Sequence, residues 1–304
     1  MNEIVQALEH ASGGAEYLFV AERCRTLYIR VPKAACTTML WGLLQLEGHD
    51  PSMMNHSKNP LLSEPDTVVH DMDIYPVPTL RHVSPELADE AMTDPHWLRM
   101  AVVRNPYARL YSAWESKILL RPPGNRRFGP LPELIETKEG VDVGASFRSF
   151  VACLAEQRER WMADEHFARQ QDLIPTAVLD DIEIVPTSGI PELFERLSGR
   201  AGMVVTPRRS NKGLGIDGTA FLDDETAGTI ARLYGADFEL TGADPSAYTP
   251  GEPVVLNAVA LSLLKLASAR SARAVQLNVS YQQRSQGRLV TALRRRVIHR
   301  RPGR

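Results

Sequence analysis

The sequence predicts an α/β fold in which helices flank a parallel β-sheet. Two strand–loop–helix units follow one another along the chain, over residues 26–46 and 97–120. Strands joined through helices are typical of parallel sheets, because parallel neighbours need a crossover connection. The composition, 43% hydrophobic and 24% charged over 304 residues, is that of an ordinary globular protein large enough to bury a core.

The first unit starts with Thr26–Val31, a β-branched and aromatic run that predicts a buried strand. Pro32 ends this strand, because proline cannot donate a hydrogen bond to a central ladder. After a short loop, apolar residues recur over Thr37–Leu46 as in a largely buried helix, with its N-cap near Cys36 or Thr37. A strand–loop–helix junction of this kind presents backbone N–H groups to an anion.

The second unit repeats this order. Trp97–Val103 predicts a strand that ends at Arg104, and Tyr107–Leu120 predicts an amphipathic helix. Residues 48–95 and 121–144 are rich in loop-forming residues and predict loops, short helices and a surface insertion. The remaining predicted elements are a strand over Ile182–Val185 and helices over 147–160, 190–197 and 225–238.

Charge is distributed unevenly along the chain. Residues 253–304 contain eleven Lys or Arg and no Asp or Glu, whereas residues 1–252 carry 24 basic and 37 acidic groups, a net charge of −13. We therefore predict an α/β domain over 1–252 and a basic, helical C-terminal extension over 253–304. The default interpretation of the extension is a solvated, frayed helix. The alternatives are that it contacts an acidic acceptor, a membrane surface or a partner subunit, so an oligomer is possible. An acidic body without a recognition motif argues against nucleic acid as a partner.

The sequence shows none of the marks of secretion or membrane insertion. Its three cysteines, an odd number, do not form a disulfide pattern or a zinc-ligand pattern. The first ten residues lack the charged and apolar regions of a signal peptide. The apolar stretch over 254–267 is interrupted and too short to span a bilayer. These observations predict a soluble, cytoplasmic protein.

The loop of the first unit carries residue types that bind phosphate or sulfate. Lys33 supplies a positive charge, while Thr37 and Thr38 supply hydroxyls beside a helix N-terminus. An ATP-binding P-loop needs G-x-x-x-x-G-K-[ST], but both glycines are missing and Lys33 precedes Thr37 by four positions. The alternative is that Lys33 is a solvated lysine and the threonines are caps. The candidate anion-binding residues are Pro32, Lys33, Ala34, Ala35, Cys36, Thr37 and Thr38.

The second strand–loop–helix unit contains two further candidate phosphate-binding residues. Arg104 stands at a strand end, and Ser112 follows eight residues later, about two turns into the next helix. Both can bind one phosphate if the chain folds back over it, with the guanidinium as a forked, always-charged contact. The alternative is that Arg104 pairs with a carboxylate and that Ser112 is a small residue at a helix crossing.

Together these segments resemble the phosphosulfate and 3′-phosphate motifs of sulfotransferases that use 3′-phosphoadenosine 5′-phosphosulfate (PAPS). The chain is most similar to the carbohydrate group that contains the chondroitin 4-O- and HNK-1-type enzymes. Its P-K-x-x-C-T motif is matched by Pro32, Lys33, Cys36 and Thr37. Its V-R-[DN]-P-[FY]-x-R-L-x-S-A-x-x-x-K motif is matched by Val103, Arg104, Asn105, Pro106, Tyr107, Arg109, Leu110, Ser112, Ala113 and Lys117.

Two later segments extend the resemblance. Residues 165–173 look like H-W-x-P-Q-x-x-L with Phe167 and Arg169 as departures, and residues 233–240 look like the Y-x-x-D-F-x-x-F ending. The resemblance, which covers about residues 26–240, implies a parallel sheet related to that of P-loop nucleotide kinases. It also implies PAPS as donor and PAP (adenosine 3′,5′-bisphosphate) as product. The absence of the P-loop glycines and the position of Lys33 argue against a required magnesium ion. The Golgi members are membrane-anchored and use disulfides, so we expect a soluble, bacterial-type enzyme. Its acceptor, a hydroxyl of a glycan or of a glycosylated or small-molecule compound, is not carried over from these relatives.

Sulfuryl transfer to a hydroxyl requires a base and neutralisation of the leaving phosphate. Lys33 is the candidate for neutralisation, and His70, in the segment between the donor motifs, is the first candidate for the base. His56, His82 and His166 are its rivals. A late basic loop contains Arg208, Ser210, Asn211 and Lys212. Such a loop often closes over the nucleotide in the fold that the resemblance implies, which makes Arg208 and Ser210 candidate nucleotide-binding residues, and the equal alternative is a solvated turn.

Two other functions fit parts of the sequence. A P-loop-like kinase would use ATP and magnesium, but the position of Lys33 relative to Thr37 argues against it. A catalytically inactive nucleotide-binding or interaction module would keep the fold without needing a base between the donor motifs.

Overall fold

A computed structural model describes residues 14–54, 69–70, 72, 74–120, 128, 130–207, 214–251 and 253–265. In these ranges the strands are β1 (Leu18–Ala21), β2 (Thr26–Ile29), β3 (Leu98–Val103), β4 (Val141–Asp142), β5 (Glu183–Pro186) and β6 (Val255–Leu256). The helices are α1 (Cys36–Leu46), α2 (Pro85–Thr93), α3 (Pro106–Trp114), α4 (Val143–Glu156), α5 (Arg158–Met162), α6 (Gln170–Leu173), α7 (Ile190–Ala201), α8 (Asp224–Leu233) and α9 (Gly235–Thr241).

The central sheet has four strands in the order β1-β2-β3-β5. The pairs β2–β3 and β3–β5 are parallel, which confirms the predicted parallel arrangement of these three strands. The edge strand β1 was not predicted and runs antiparallel to β2. Only residues 22–25 connect β1 to β2, and such a short connection allows only an antiparallel pair.

Several predicted helices have different bounds in the structure. The helix predicted over 107–120 is α3 followed by a π-helical turn at Glu115–Leu119. The helix predicted over 147–160 starts earlier, at Val143, because the Asp142 side chain accepts from the Ala145 N–H as an N-cap. The helix predicted over 225–238 is divided into α8 and α9 at Tyr234. Hydrophobic spacing continues through such breaks, so the sequence pattern does not show them.

The sheet is covered on both faces. Tyr28 packs with α1 and α7, whereas its neighbours Leu27 and Ile29 pack with α2 on the opposite face, as the two-residue repeat of a strand requires. Helices α1 and α7 approach so closely that a Cβ atom on Gly42 would lie 2.0 Å from Phe194. A separate apolar cluster joins α3, α4, α8 and α9. Helix α3 therefore connects the sheet to a mostly helical layer.

The described part of the predicted C-terminal extension contacts the body. Strand β6 pairs antiparallel with β4, and a helical segment over 258–265 buries Leu261 in the helical layer. The domain boundary at residue 252 stays a prediction, and residues 266–304 of the basic extension lie outside the described residues.

Candidate functional site

The loop between β2 and α1 has an unusual backbone. Lys33 has φ +68° and Ala35 has φ +58°, in the left-handed region that residues with a Cβ atom rarely adopt. Left-handed residues within such a loop turn successive N–H groups toward one centre, which is an anion-binding concavity. The N-terminus of α1 has no side-chain cap, whereas Asn105 caps α3 through its side chain. The start of α1 is thus arranged to receive an anion.

Lys33 lies at the centre of a group of cations. Its Nζ atom donates to Ser116 Oγ over 2.8 Å, which joins the loop to the π-helical turn after α3. Burial, together with the positive charges of Lys117 and Arg104, lowers the pKa of Lys33 to about 8, against the opposing carboxylate of Glu115. An anion bound here would relieve the repulsion among these cations.

The structure places Arg104 against the same loop. The Arg104 Nη1 atom donates to the carbonyl oxygen of Lys33 over 3.4 Å. The backbone of Arg104 is held by Gln170, whose Oε1 accepts from the Arg104 N–H at 2.9 Å and whose Nε2 donates to the Arg104 carbonyl at 2.8 Å. Burial lowers the pKa of Arg104, opposed by Glu115 and Asp217. Ser112 is half-buried within α3.

Arg109 is a residue whose role the sequence did not reveal. It is 2% exposed and donates to three carbonyl oxygens: Pro32 at 2.9 Å, Ala168 at 2.7 Å and Glu165 at 3.1 Å. It therefore ties the anion-binding loop to the segment around His166. A positive residue on an otherwise apolar helix face is the one sequence signal that could have indicated a buried clamp.

His70 contacts the start of α1. Its Nε2 atom lies 2.8 Å from Thr37 Oγ1, and Thr37 is 5% exposed. Burial, followed by the charges of Arg30, Lys117 and Lys33, lowers the pKa of His70 to about 3. The ring is therefore neutral at pH 7 and can accept a proton.

His166 is held by a carboxylate. Its Nδ1 atom lies 2.7 Å from Asp164 Oδ1, an arrangement that fixes the orientation of the ring. Burial lowers the pKa of His166 to about 4, although its hydrogen bond to the Asp164 carboxylate acts in the opposite direction. His166 also lowers the pKa of His70, by less than burial and the nearby cations do.

The other sequence candidates divide into three groups. Pro32, Ala34 and Thr38 are buried around the loop, and Cys36 is the first residue of α1. His82 lies beside Thr79 at the outer edge of the sheet, 2.9 Å from its Oγ1. His56, Arg208, Ser210, Asn211 and Lys212 lie outside the described residues.

The two later segments of the resemblance contact each other. Asp237 is fully buried, and its carboxylate accepts from the N–H groups of Gln170 at 2.9 Å and Gln171 at 3.0 Å. Tyr234 donates its hydroxyl to the Phe167 carbonyl at 2.7 Å. These residues position the chain that holds Arg104 and His166.

Comparison with known proteins decides the family. The sequence model described as "Sulfotransferase family" matches residues 16–185, which include both strand–loop–helix units, His70 and His166. The chain belongs to the sulfotransferase family. The resemblance found in its motifs is thus confirmed.

A curated relative gives a finer comparison. This sulfotransferase is 26% identical to carbohydrate sulfotransferase 10 of Pongo abelii over 154 residues, which is 48% of this chain and 39% of the relative. The chain thus spans about two fifths of the length of the curated relative it matches. No solved structure matches the chain.

Three further observations on this sulfotransferase concern membrane-spanning helices, metal sites and cysteines. Among the described helices, none is both long enough and apolar enough to cross a membrane. Within the same residue ranges, no three His, Cys, Asp or Glu side chains form a group that could hold a metal ion. Cys24, Cys36 and Cys153 are free thiols.

Proposed function

We propose that this sulfotransferase moves a sulfuryl group from PAPS to a hydroxyl of a glycan or a glycosylated or small-molecule acceptor. Family membership supports sulfuryl transfer in general. The observation that carries the choice of donor is the convergence of Lys33, Arg104 and the uncapped N-terminus of α1 on one loop. The name of the curated relative supports a carbohydrate acceptor.

The described residues suit a donor with phosphate at both ends. The P-loop-like turn over 32–38, with its two left-handed residues, offers N–H groups and the Lys33 charge to the 5′-phosphosulfate. Arg104 and Ser112 are proposed to bind the 3′-phosphate, the guanidinium through charge-assisted hydrogen bonds. Arg208 and Ser210 are proposed to close over the nucleotide.

We propose that positive charges of the protein stabilise the negative charge that develops during sulfuryl transfer. PAPS supplies the sulfuryl group, and negative charge grows on the phosphate that it leaves. Lys33 and the α1 N-terminus face that charge, and Lys117 adds a second cation nearby. With this much positive charge in place, the proposed reaction does not require a metal ion.

His70 is proposed as the base that takes the proton from the acceptor hydroxyl. It is neutral, and it contacts Thr37 at the start of α1, where the sulfuryl group would lie. His166 is the rival, because Asp164 already orients its ring. Cytoplasmic location, oligomer formation and contact of the basic extension with a membrane stay predictions.

Ligand-dependent stability tests this proposal. A ligand that binds only the folded state adds about 2.7 kcal/mol at one hundred times its dissociation constant. We expect PAP and PAPS to raise Tm clearly and ATP–magnesium and ADP to raise it much less, with transfer of label from PAPS to acceptors as the second measurement. A clear shift with ATP–magnesium and none with PAP would favour the kinase alternative. Binding of PAP without transfer to any hydroxyl acceptor would favour an inactive module.

A further inference from the structure

A carboxylate is buried beside the candidate donor site, in the π-helical turn at Glu115–Leu119 that follows α3. Glu115 is 6% exposed, and Lys33 donates to the hydroxyl of the next residue, Ser116, over 2.8 Å. Irregular turns of this kind are frequent at functional sites. We propose that Glu115 is a positioning residue, a fixed counter-charge that acts through Lys33 and Arg104 and keeps the product PAP from being held too tightly. This inference rests on the proposed function and concerns the release of product from its donor site.

The Glu115 carboxylate is held in place by a segment distant in sequence. Its Oε1 atom accepts from the Leu214 N–H at 3.1 Å, across 99 residues of chain. Tyr111 lies one turn earlier in α3 and has a buried hydroxyl. After burial, Glu115 is the main cause that raises the pKa of Tyr111, so this hydroxyl faces the carboxylate. Glu115 is therefore fixed inside the protein and does not extend into water.

Glu115 acts on the charge of Lys33. Burial and the positive charges of Lys117 and Arg104 lower the pKa of Lys33. Cys36 and Glu115 act against these influences and raise it. The carboxylate thus helps to keep Lys33 protonated in the empty protein, where no phosphate is present to do so.

Glu115 also acts on Arg104. Burial lowers the pKa of Arg104, whereas Glu115 and then Asp217 raise it. The effect is mutual, because burial raises the pKa of Glu115 and the Leu214 N–H, Lys33 and Arg104 are among the groups that lower it. One buried carboxylate therefore partly balances both cations that are proposed to bind the phosphates of the donor.

A fixed carboxylate has opposite effects on the empty and the occupied site. In the empty site it reduces the repulsion between cations, whereas in the occupied site it repels the bound phosphate. The repulsion is greater for PAP, because its 5′-phosphate is a monoester with nearly two negative charges at pH 7. In PAPS the corresponding charge is shared between the phosphate and the sulfate. Glu115 should therefore weaken the binding of product more than the binding of donor.

Binding of donor and product to a charge-neutralised variant tests this role. Glu115→Gln removes the charge and keeps a side-chain oxygen that can accept from the Leu214 N–H. In calorimetric titrations at pH 7 and fixed salt, Kd for PAP should fall about tenfold and Kd for PAPS only about threefold. Glu195→Gln is the matched control, because it removes the same charge from an exposed position in α7. It should leave both dissociation constants unchanged.

The pH dependence of PAP binding distinguishes a counter-charge from a merely structural residue. Without the carboxylate, the pKa of Lys33 in the free protein should fall below its value of about 8. The PAP affinity of Glu115→Gln should therefore begin to decrease at a lower pH than that of the wild type. Glu115→Ala also removes the charge and should show the same displacement. It should bind PAP more weakly than Glu115→Gln, because it also loses the contact with Leu214.

The outcomes separate this inference from the proposed function. Failure of the wild-type protein to bind PAP would overturn the donor assignment itself. Normal binding by the wild type would overturn the role of Glu115 alone if it came with any of three results. These are an unchanged or higher Kd for PAP in folded Glu115→Gln, equal gains in affinity for PAP and PAPS, and an undisplaced pH profile in both Glu115 variants.

Discussion

The Oγ1 atom of Thr37 and the Nε2 atom of His70 lie 2.8 Å apart. This contact joins the N-terminus of α1 to the segment between the two strand–loop–helix units, 33 residues further along the chain. It places a neutral imidazole where the helix dipole and Lys33 would attract an anion. Burial is the largest cause of the lowered pKa of His70, but two of the cations that also lower it, Lys117 and Lys33, lie in the candidate donor site. A bound donor would offset these two charges, so donor binding should raise that pKa.

Removal of the His70 ring tests its role as the base. His70→Ala should leave PAP affinity within a few-fold of the wild type and lower turnover by about 10²–10⁴-fold, the range for a lost general base. The wild-type kcat should fall as the pH drops through the pKa of His70 in the donor complex, because the protonated ring cannot accept a proton. In kcat/KM for PAPS, which reports the free protein, that fall should appear at lower pH, because the pKa of His70 there is about 3. This fall in rate at low pH, the acid limb of the pH profile, should be absent in His70→Ala.

His166→Ala is the comparison for that experiment. If His70 is the base, His166→Ala should retain the acid limb of the pH profile even where its rate is lower. Near-normal turnover of His70→Ala at saturating acceptor, together with loss of the limb in His166→Ala, would assign the base to the His166–Asp164 pair instead.

The lowered pKa of Lys33 predicts a pH dependence of donor affinity. In the free protein this pKa is about 8, and a bound phosphate favours the charged form, so the pKa in the complex is higher. PAP affinity should therefore be constant below about pH 8 and fall as the pH rises above it, by up to tenfold per pH unit. Calorimetric titration between pH 7 and 10 measures this.

Two variants of Lys33 complete the test. Lys33→Arg stays charged throughout this range, so its PAP affinity should be almost independent of pH. Lys33→Ala should lower turnover more than PAP affinity, because the charge on the leaving phosphate grows only during transfer. A wild-type affinity that does not change up to pH 10 would contradict the place of Lys33 in the donor site.

Arg104 and Ser112 should contribute unequally to donor binding. Arg104→Ala should weaken PAP binding about tenfold or more, because a hydrogen bond to a charged group contributes about 1.5–3 kcal/mol. Ser112→Ala should weaken it less, since the hydroxyl is neutral. Dissociation constants for PAP at fixed salt give both values. If both variants remain folded and bind PAP normally, the 3′-phosphate lies elsewhere.

Much of the candidate site could be predicted from sequence because each part is local. The anion-binding loop needs only a strand, a short turn and a helix start, with Lys33 in that turn and Thr37 in the first turn of α1. The carboxyl ends of adjacent parallel strands share one edge, which is why Arg104 after β3 meets the loop after β2.

The missed parts depend on contacts between distant segments. Arg109 bonds to a carbonyl 59 residues away, and neither local spacing nor hydrophobic pattern specifies that distance. A cavity next to Pro32 likewise depends on distant segments, because it is lined by Tyr17, directly before β1, and by residues between 162 and 173. The pairing of Asp164 with His166 is local, but its position beside His70 is not.

Arg109 gives a stability prediction that is independent of activity. Arg109→Met keeps much of the side-chain volume but leaves the carbonyls of Pro32, Ala168 and Glu165 without their donor. An unsatisfied buried polar group costs about 1–3 kcal/mol, so the variant should lose about 3 kcal/mol or more of unfolding free energy. Chemical denaturation measures the loss. Arg158→Met, at an exposed position in α5, should change stability by no more than about 0.5 kcal/mol.

The loss in Arg109→Met should also depend on pH through Asp237. Burial raises the pKa of this carboxyl, and the charge of Arg109 holds it down. Without Arg109 the pKa rises further, and a group with a raised pKa in the folded state makes the protein less stable as the pH increases through that pKa. The deficit should therefore be larger at pH 7 than at pH 5, and Asp237→Asn in the Arg109→Met background should remove that difference. An equal deficit at both pH values would show that Arg109 acts only through its hydrogen bonds and not by balancing the charge of Asp237.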